Sequence, residues 1–249
     1  MFVYKTVRTA VAPLLSEPRI AAPLASQLTR GEVVTVLETQ GEWLRVHGED
    51  AYVGWTHNGY LTETTGDESS WRISINASVT TRDAALLVLP LGARIAHADT
   101  IHSGEWCEAH ERDTLFPAQS HAIALSASLR FAHASYAWGG VTPWGCDCSG
   151  FVQRIFRLHG VSLPRDARQQ VTCGISTGTD VADHHAPGDL LFFSDRDDAR
   201  VTHVGVALES DRMVHSALKR GGVRVEQLDA DDDYTARLRG QCVDVRRVV

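Results

Sequence analysis

The heptapeptide Gly41-Glu42-Trp43-Leu44-Arg45-Val46-His47 returns 63 residues later as Gly104-Glu105-Trp106-Cys107-Glu108-Ala109-His110, identical at four of seven positions. A chain that repeats itself over so short a distance is built from small units placed in series. Each copy follows a glycine and a strand-like stretch: Gly31-Glu32-Val33-Val34-Thr35-Val36-Leu37 before the first, Gly92-Ala93-Arg94-Ile95-Ala96 before the second. Alternation of apolar and polar residues, short β-branched runs and frequent turn residues predict half-buried strands. The sequence therefore opens with two small all-β modules, over 1–65 and 66–118. The polar run Thr64-Thr65-Gly66-Asp67-Glu68-Ser69-Ser70 is read as the linker between them.

After Pro117 the texture changes. Residues 121–133 are rich in Ala, Leu and Ser at helical spacing. Residues 148–158 carry Phe151, Val152, Ile155, Phe156 and Leu158 with Gly160 as a stop, and 167–171 is a short third helix. Strands then dominate, at 189–193, 201–208, 212–215 and 222–225. Helices followed by a run of strands define an α+β domain over 119–249.

Composition narrows the function classes. Of 249 residues, 43% are hydrophobic and 22% charged, which excludes a disordered chain. The formal net charge of −7 offers no basic excess for nucleic acid, and no 18-residue apolar run predicts a membrane span. The expected partner is thus neither. Five cysteines, an odd number, leave at least one thiol free and favour a reducing compartment. The start, Met1-Phe2-Val3-Tyr4, reads as no export leader, so a cytoplasmic monomer is expected.

Among the free thiols, Cys148 falls where a loop becomes a helix. Unpaired N–H groups and the helix dipole favour a thiolate there, so its pKa is expected below the usual thiol value. It would need a base. His203 lies mid-strand and His215 on the next strand, so one imidazole can accept the thiol proton while the other holds it in its working tautomer. Each residue also has an ordinary reading: a small buried Cys, core histidines, or zinc at Cys146-x-Cys148. No second Cys pair at ligand spacing supports zinc, and no metal or cofactor is expected.

At this point the blocks align with a family. Tyr136-Ala137-Trp138-Gly139-Gly140, Asp147-Cys148-Ser149-Gly150-Phe151, Leu163-Pro164-Arg165-Asp166-Ala167, Gly188-Asp189-Leu190-Leu191-Phe192-Phe193, His203-Val204-Gly205-Val206 and Val214-His215-Ser216 resemble the NlpC/P60 cysteine peptidases. The resemblance implies a papain-like α+β catalytic domain, with Cys148 as nucleophile, His203 as base and His215 as third member. It makes Tyr136 the aromatic at the site border and an oxyanion donor beside the Cys148 N–H. Upstream, Tyr52-Val53-Gly54-Trp55 and Gly59-Tyr60-Leu61 resemble bacterial SH3-like (SH3b) modules, so two SH3-like barrels are expected, the second degenerate because no Gly-Trp follows His110.

This combination is similar to the γ-D-glutamyl-diamino acid endopeptidases of cell-wall peptide recycling. That subfamily implies a murein peptide substrate with a free N-terminal L-Ala. Asp166 would pair with its ammonium, with Ser149, Arg165 and a tyrosine (Tyr60 before Tyr52) completing the substrate set; Asp166 also suits an N-cap of the helix at 167–171. An exported enzyme acting on intact wall, or a non-catalytic peptide-binding protein, are the alternatives.

Overall fold

A computed structural model describes residues 3–64, 71–181, 185–209 and 211–249. The predicted linker residues Thr65–Ser70, and His184 of the His184-His185 pair, lie outside them. The chain divides into two compact units, Met1–Arg112 with Trp138–Val141, and Asp113–Ala137 with Thr142–Val249.

The N-terminal unit holds both repeats. Strands β1 (Val3–Val7), β2 (Val11–Leu15), β3 (Leu24–Thr29), β4 (Val33–Gln40), β5 (Trp43–His47), β6 (Val53–His57) and β7 (Leu61–Glu63) form one antiparallel sheet in the order β3-β2-β6-β5-β4-β1-β7. Alternate residues Ala12, Leu14, Leu44 and Val46 are buried against Val7, Leu28, Val34 and Leu61. The second repeat forms two three-stranded sheets. β8 (Trp71–Ser74) lies between β11 (Arg94–Ala96) and β13 (Trp106–Glu108), and β9 (Ser78–Thr80) between β10 (Leu86–Val88) and β12 (Thr100–Ser103). Their core is Ala77, Val79, Leu89, Ala93 and Ile95.

The region is β-rich as expected; the strand pairings among the described residues close no barrel, so the two SH3-like barrels are not confirmed as such. The repeat itself is structural. Gly31 and Gly92 have φ of +80° and +81°, Gly41 and Gly104 +59° and +87°, so the shared glycines occupy the same left-handed turn positions that L side chains avoid. Leu44 and Cys107 are both buried. The likeness then stops, because His47 ends a strand while His110 sits in a 3-10 turn at Ala109–Glu111.

The second unit has helices α1 (Arg112–Leu115), α2 (Ser120–Arg130), α3 (Cys148–Leu158), α4 (Ala167–Gln170) and α5 (Asp233–Gly240). A short ribbon, β14 (Val141–Thr142) with β15 (Gly145–Cys146), precedes α3. β16 (Ile175–Gly178), β17 (Leu190–Phe193), β18 (His203–Ala207), β19 (Arg212–Ala217), β20 (Gly222–Gln227) and β21 (Cys242–Arg247) form an antiparallel sheet, β16-β21-β17-β18-β19-β20. Phe151, Val152, Ile155 and Phe156 are fully buried, and α3 packs on β18 and β19. Phe131 of the residue after α2 meets Phe151 edge-on at 5.3 Å. This is an α+β layer pair with α3 pinned to the strands that carry the histidines.

Candidate active site

The start of α3 is fixed by a buried charge pair. Asp147, in extended backbone, is the N-cap, and its Oδ1 accepts the Gly150 N–H at 2.7 Å. Arg165 clamps the same carboxylate, Nη1 to Oδ1 at 3.0 Å and Nη2 to Oδ2 at 2.6 Å, and Nη1 also donates to Ser149 Oγ at 2.9 Å. Gln170 Nε2 donates to the Ser149 and Pro164 carbonyls, tying α4 to the same turn. Cys148 is thereby the first residue of a rigid helix, 9% exposed, and its N–H belongs to the first-turn donors that a helix cannot satisfy internally. The N–H groups of Val204 and Ser149 hydrogen-bond its sulfur, which sets Cys148 against the strand start that bears His203.

The two histidines meet as the strand order requires. His203 Nε2 and His215 Nδ1 are 2.8 Å apart, with rings edge-on at 4.9 Å between centroids. His215 is fully buried, and its Nε2 lies 3.4 Å from Glu226 Oε1 on β20. Arg220 in turn grips Glu226 through Nε and Nη2, both at 2.8 Å. Gly205, within β18 and next to β19, leaves the room this needs. A Cβ there would lie 2.7 Å from Met213 Sδ and 3.2 Å from His215 Cβ.

The expected acidification of the thiol is overturned. Burial first, then the Asp147 carboxylate, push Cys148 up to about 11, against its two backbone hydrogen bonds and Arg165. Burial and the neighbouring His215 hold His203 down to about 3. Cys148 and His203 are therefore both held in their neutral forms around neutral pH.

Tyr136 is half-buried, pairs through its backbone with Cys146, and is pushed up to about 12 by burial and then by Cys148, so it offers an O–H donor at neutral pH. Asp166 stands at the N-cap position of α4 but its side chain makes no cap bond; Oδ2 accepts from Arg168 Nη2 at 3.0 Å. Arg165, expected in the substrate set or as a support for its loop, is 2% exposed and bonds Asp147 and Ser149. Tyr60, in the 3-10 turn at Asn58–Tyr60, and Tyr52 lie in the N-terminal unit, half-buried against its own core. Among the described residues no group of three His, Cys, Asp or Glu is arranged to hold a metal ion.

Sequence reasoning missed Glu226 and Arg220. The strand read at 222–225 stops short of Glu226, which is only 6% exposed while Val225 before it is exposed. A carboxylate buried at that strand end has no signal in one sequence.

A thiol at a helix start, a histidine pair on adjacent strands and a papain-like α+β layering are the parts a cysteine-type hydrolase needs. Comparison with known proteins gives matches to two domains: residues 133–239 match the NlpC/P60 family and residues 14–58 the bacterial dipeptidyl-peptidase SH3 domain. The chain is 26% identical to a γ-D-glutamyl-L-lysine dipeptidyl-peptidase of Bacillus cereus, over 84% of this chain and 72% of that protein. It is 29% identical to the protein of that name from Bacillus subtilis, over 78% and 72%. A crystal structure of an NlpC/P60 family protein from Bacillus cereus superposes with a TM-score of 0.81 at 19% identity, covering 98% of this chain and 99% of that one. The chain carries an NlpC/P60 peptidase domain behind a bacterial SH3 domain.

Proposed function

We propose that the enzyme hydrolyses the amide between the γ-carboxyl of D-glutamate and a diamino acid in murein peptides with a free N-terminal L-alanine, releasing L-Ala-γ-D-Glu. Two relatives matched across both domains bear the name γ-D-glutamyl-L-lysine dipeptidyl-peptidase. The observation that carries the reading is Asp166. Its carboxylate is not spent on capping α4; Oδ2 pairs with the exposed Arg168 at 3.0 Å, and its chain neighbour Arg165 is bonded to the residue following Cys148. Such a carboxylate is suited to a substrate ammonium, a partner that an acylated alanine does not offer.

The chemistry follows from the couple. Cys148 Sγ attacks the γ-carbonyl carbon as His203 takes the thiol proton, and the N–H of Cys148 with the Tyr136 hydroxyl receive the developing oxyanion. His203 passes that proton to the departing amine, leaving a thioester. Water then gives a proton to His203 and its oxygen to the carbonyl carbon, and the sulfur leaves and is reprotonated.

The test is L-Ala-γ-D-Glu-L-Lys, or its diaminopimelate analogue, with product masses read out. We expect dipeptide release, cleavage of the N-acetylated peptide slower by ~100-fold or more, and loss of that discrimination in Asp166→Asn. Intact tripeptide, or equal rates on the two peptides, overturns the reading. Fragments released from purified cell wall instead would point to a wall endopeptidase.

The pH dependence follows from the resting couple. A base held below its ordinary pKa stays unprotonated further into acid, and a thiol held up stays protonated further into alkali. The active protonation state thus spans neutrality, and kcat/KM, which reports the free enzyme, should stay flat between about pH 5.5 and 7.5. A midpoint near the ordinary histidine pKa of about 6.5 would show that His203 is not held as described.

A further inference from the structure

The Cys148, His203 and His215 roles leave one buried charge unexplained. Glu226 is 6% exposed, and three elements converge on it: His215 from β19, Arg220 from the 3-10 turn at Leu218–Arg220, and Tyr234 from the start of α5. Arg220 is itself braced, its guanidinium 4.2 Å from the Tyr234 ring and 3.7 Å from Asp232. The Tyr234 ring in turn lies against His215, 6.2 Å between centroids. A carboxylate taken out of water needs such partners, yet a salt bridge with Arg220 alone would not require His215 to face it.

We propose that Glu226 is a positioning residue for catalysis, which sets the tautomer of His215 and through it the lone pair of His203. The argument is one of donors and acceptors. An ionised carboxylate only accepts. A neutral His215 therefore carries its single proton on Nε2, facing Glu226, and leaves Nδ1 as an acceptor. A bare Nδ1 at 2.8 Å obliges His203 to donate from Nε2. The one nitrogen of His203 left unprotonated is Nδ1, and that is the base. The Arg220 clamp matters because Glu226 must stay charged. Burial works to raise its pKa, but the hydrogen bonds from His215 and Arg220 prevail and hold it below its ordinary value.

The same carboxylate acts again when His203 accepts the thiol proton. Positive charge then appears on an imidazole whose neighbour points its other nitrogen at a buried anion. The histidine pair delivers part of that stabilisation across two rings, as the carboxylate of a Ser-His-Asp triad does across one.

This inference rests on the catalytic reading of Cys148, His203 and His215 but not on the peptide assigned above, so its tests use no peptide. The first is nitrogen NMR of 15N-histidine-labelled protein near neutral pH. Wild type should show His215 protonated on Nε2 and His203 on Nε2; His215 protonated on Nδ1 in wild type overturns the proposal without any variant. The second is acylation of Cys148 by p-nitrophenyl acetate, in which the sulfur takes the acetyl group, p-nitrophenolate leaves and the thiol proton passes to His203. Glu226→Gln removes the charge while nearly preserving shape. Its acylation rate should fall ~10- to 100-fold, with His215 losing its pure Nε2–H signature and the melting temperature moving little. Arg220→Met should show the same change in weaker form. A Glu226→Gln protein that is folded, unchanged in tautomer and acylated at the wild-type rate would reduce Glu226 to a structural ion-pair partner.

Discussion

Cys148→Ala should leave a folded protein whose peptide turnover falls on the order of 10⁴-fold or more, as removal of a nucleophile does elsewhere. The size of the effect follows from the lack of a substitute. Cys146, two residues earlier, is fully buried, and burial pushes its thiol up to about 12. The Ser149 hydroxyl is engaged by Arg165. Neither can be carried to the carbonyl without dismantling the start of α3. Stability should scarcely change, because alanine suits a first helical turn and the Asp147 cap remains. Product masses from the tripeptide and a thermal melt check both halves, and retained cleavage in the variant would refute the assignment of Cys148.

The largest stability effect should come from Arg165→Met. The guanidinium is 2% exposed and its Asp147 partner 9%. Methionine fills similar volume but leaves a buried carboxylate without its cation, a loss of about 3–5 kcal/mol for comparable pairs. For a chain of this size that lowers the melting temperature by roughly 10 °C. The double variant Asp147→Asn, Arg165→Met should recover part of the loss, since no unpaired charge remains. A circular dichroism melt of the three proteins decides it; a single variant as stable as wild type would show that Asp147 is adequately solvated by other means.

Much of the catalytic unit is legible from residue order. Helix 148–158 appears with those bounds, because an N-cap Asp, an apolar face of Phe151, Val152 and Ile155, and Gly160 at φ +75° all agree. His203 and His215 fall on neighbouring strands as spacing implies, because consecutive antiparallel strands usually pair. What escaped reading has physical reasons. β21, Cys-Val-Asp-Val-Arg-Arg, is polar for a strand, yet it lies inside the sheet between β16 and β17, where Arg247 is drawn to buried Asp189 at 2.8 Å. α5 announces itself only by Asp232, which caps Tyr234 and Thr235. The thiol pKa was misjudged because the helix dipole is a local cue, while burial and the Asp147 carboxylate depend on what the rest of the chain packs around Cys148.

The neutral resting couple also bears on oxidative damage. Sulfur is oxidised chiefly as thiolate and where it is reached by solvent. Cys148 and Cys146 are buried with pKa values pushed well above neutrality, whereas Cys173 and Cys242 are only half-buried, and all five cysteines are unbridged. Peroxide meets the peripheral sulfurs first, and these take no part in turnover. In the proposed mechanism the Cys148 sulfur is armed only as its proton moves to His203, so the nucleophile is carried in a chemically quiet form until a bond is there to be cut.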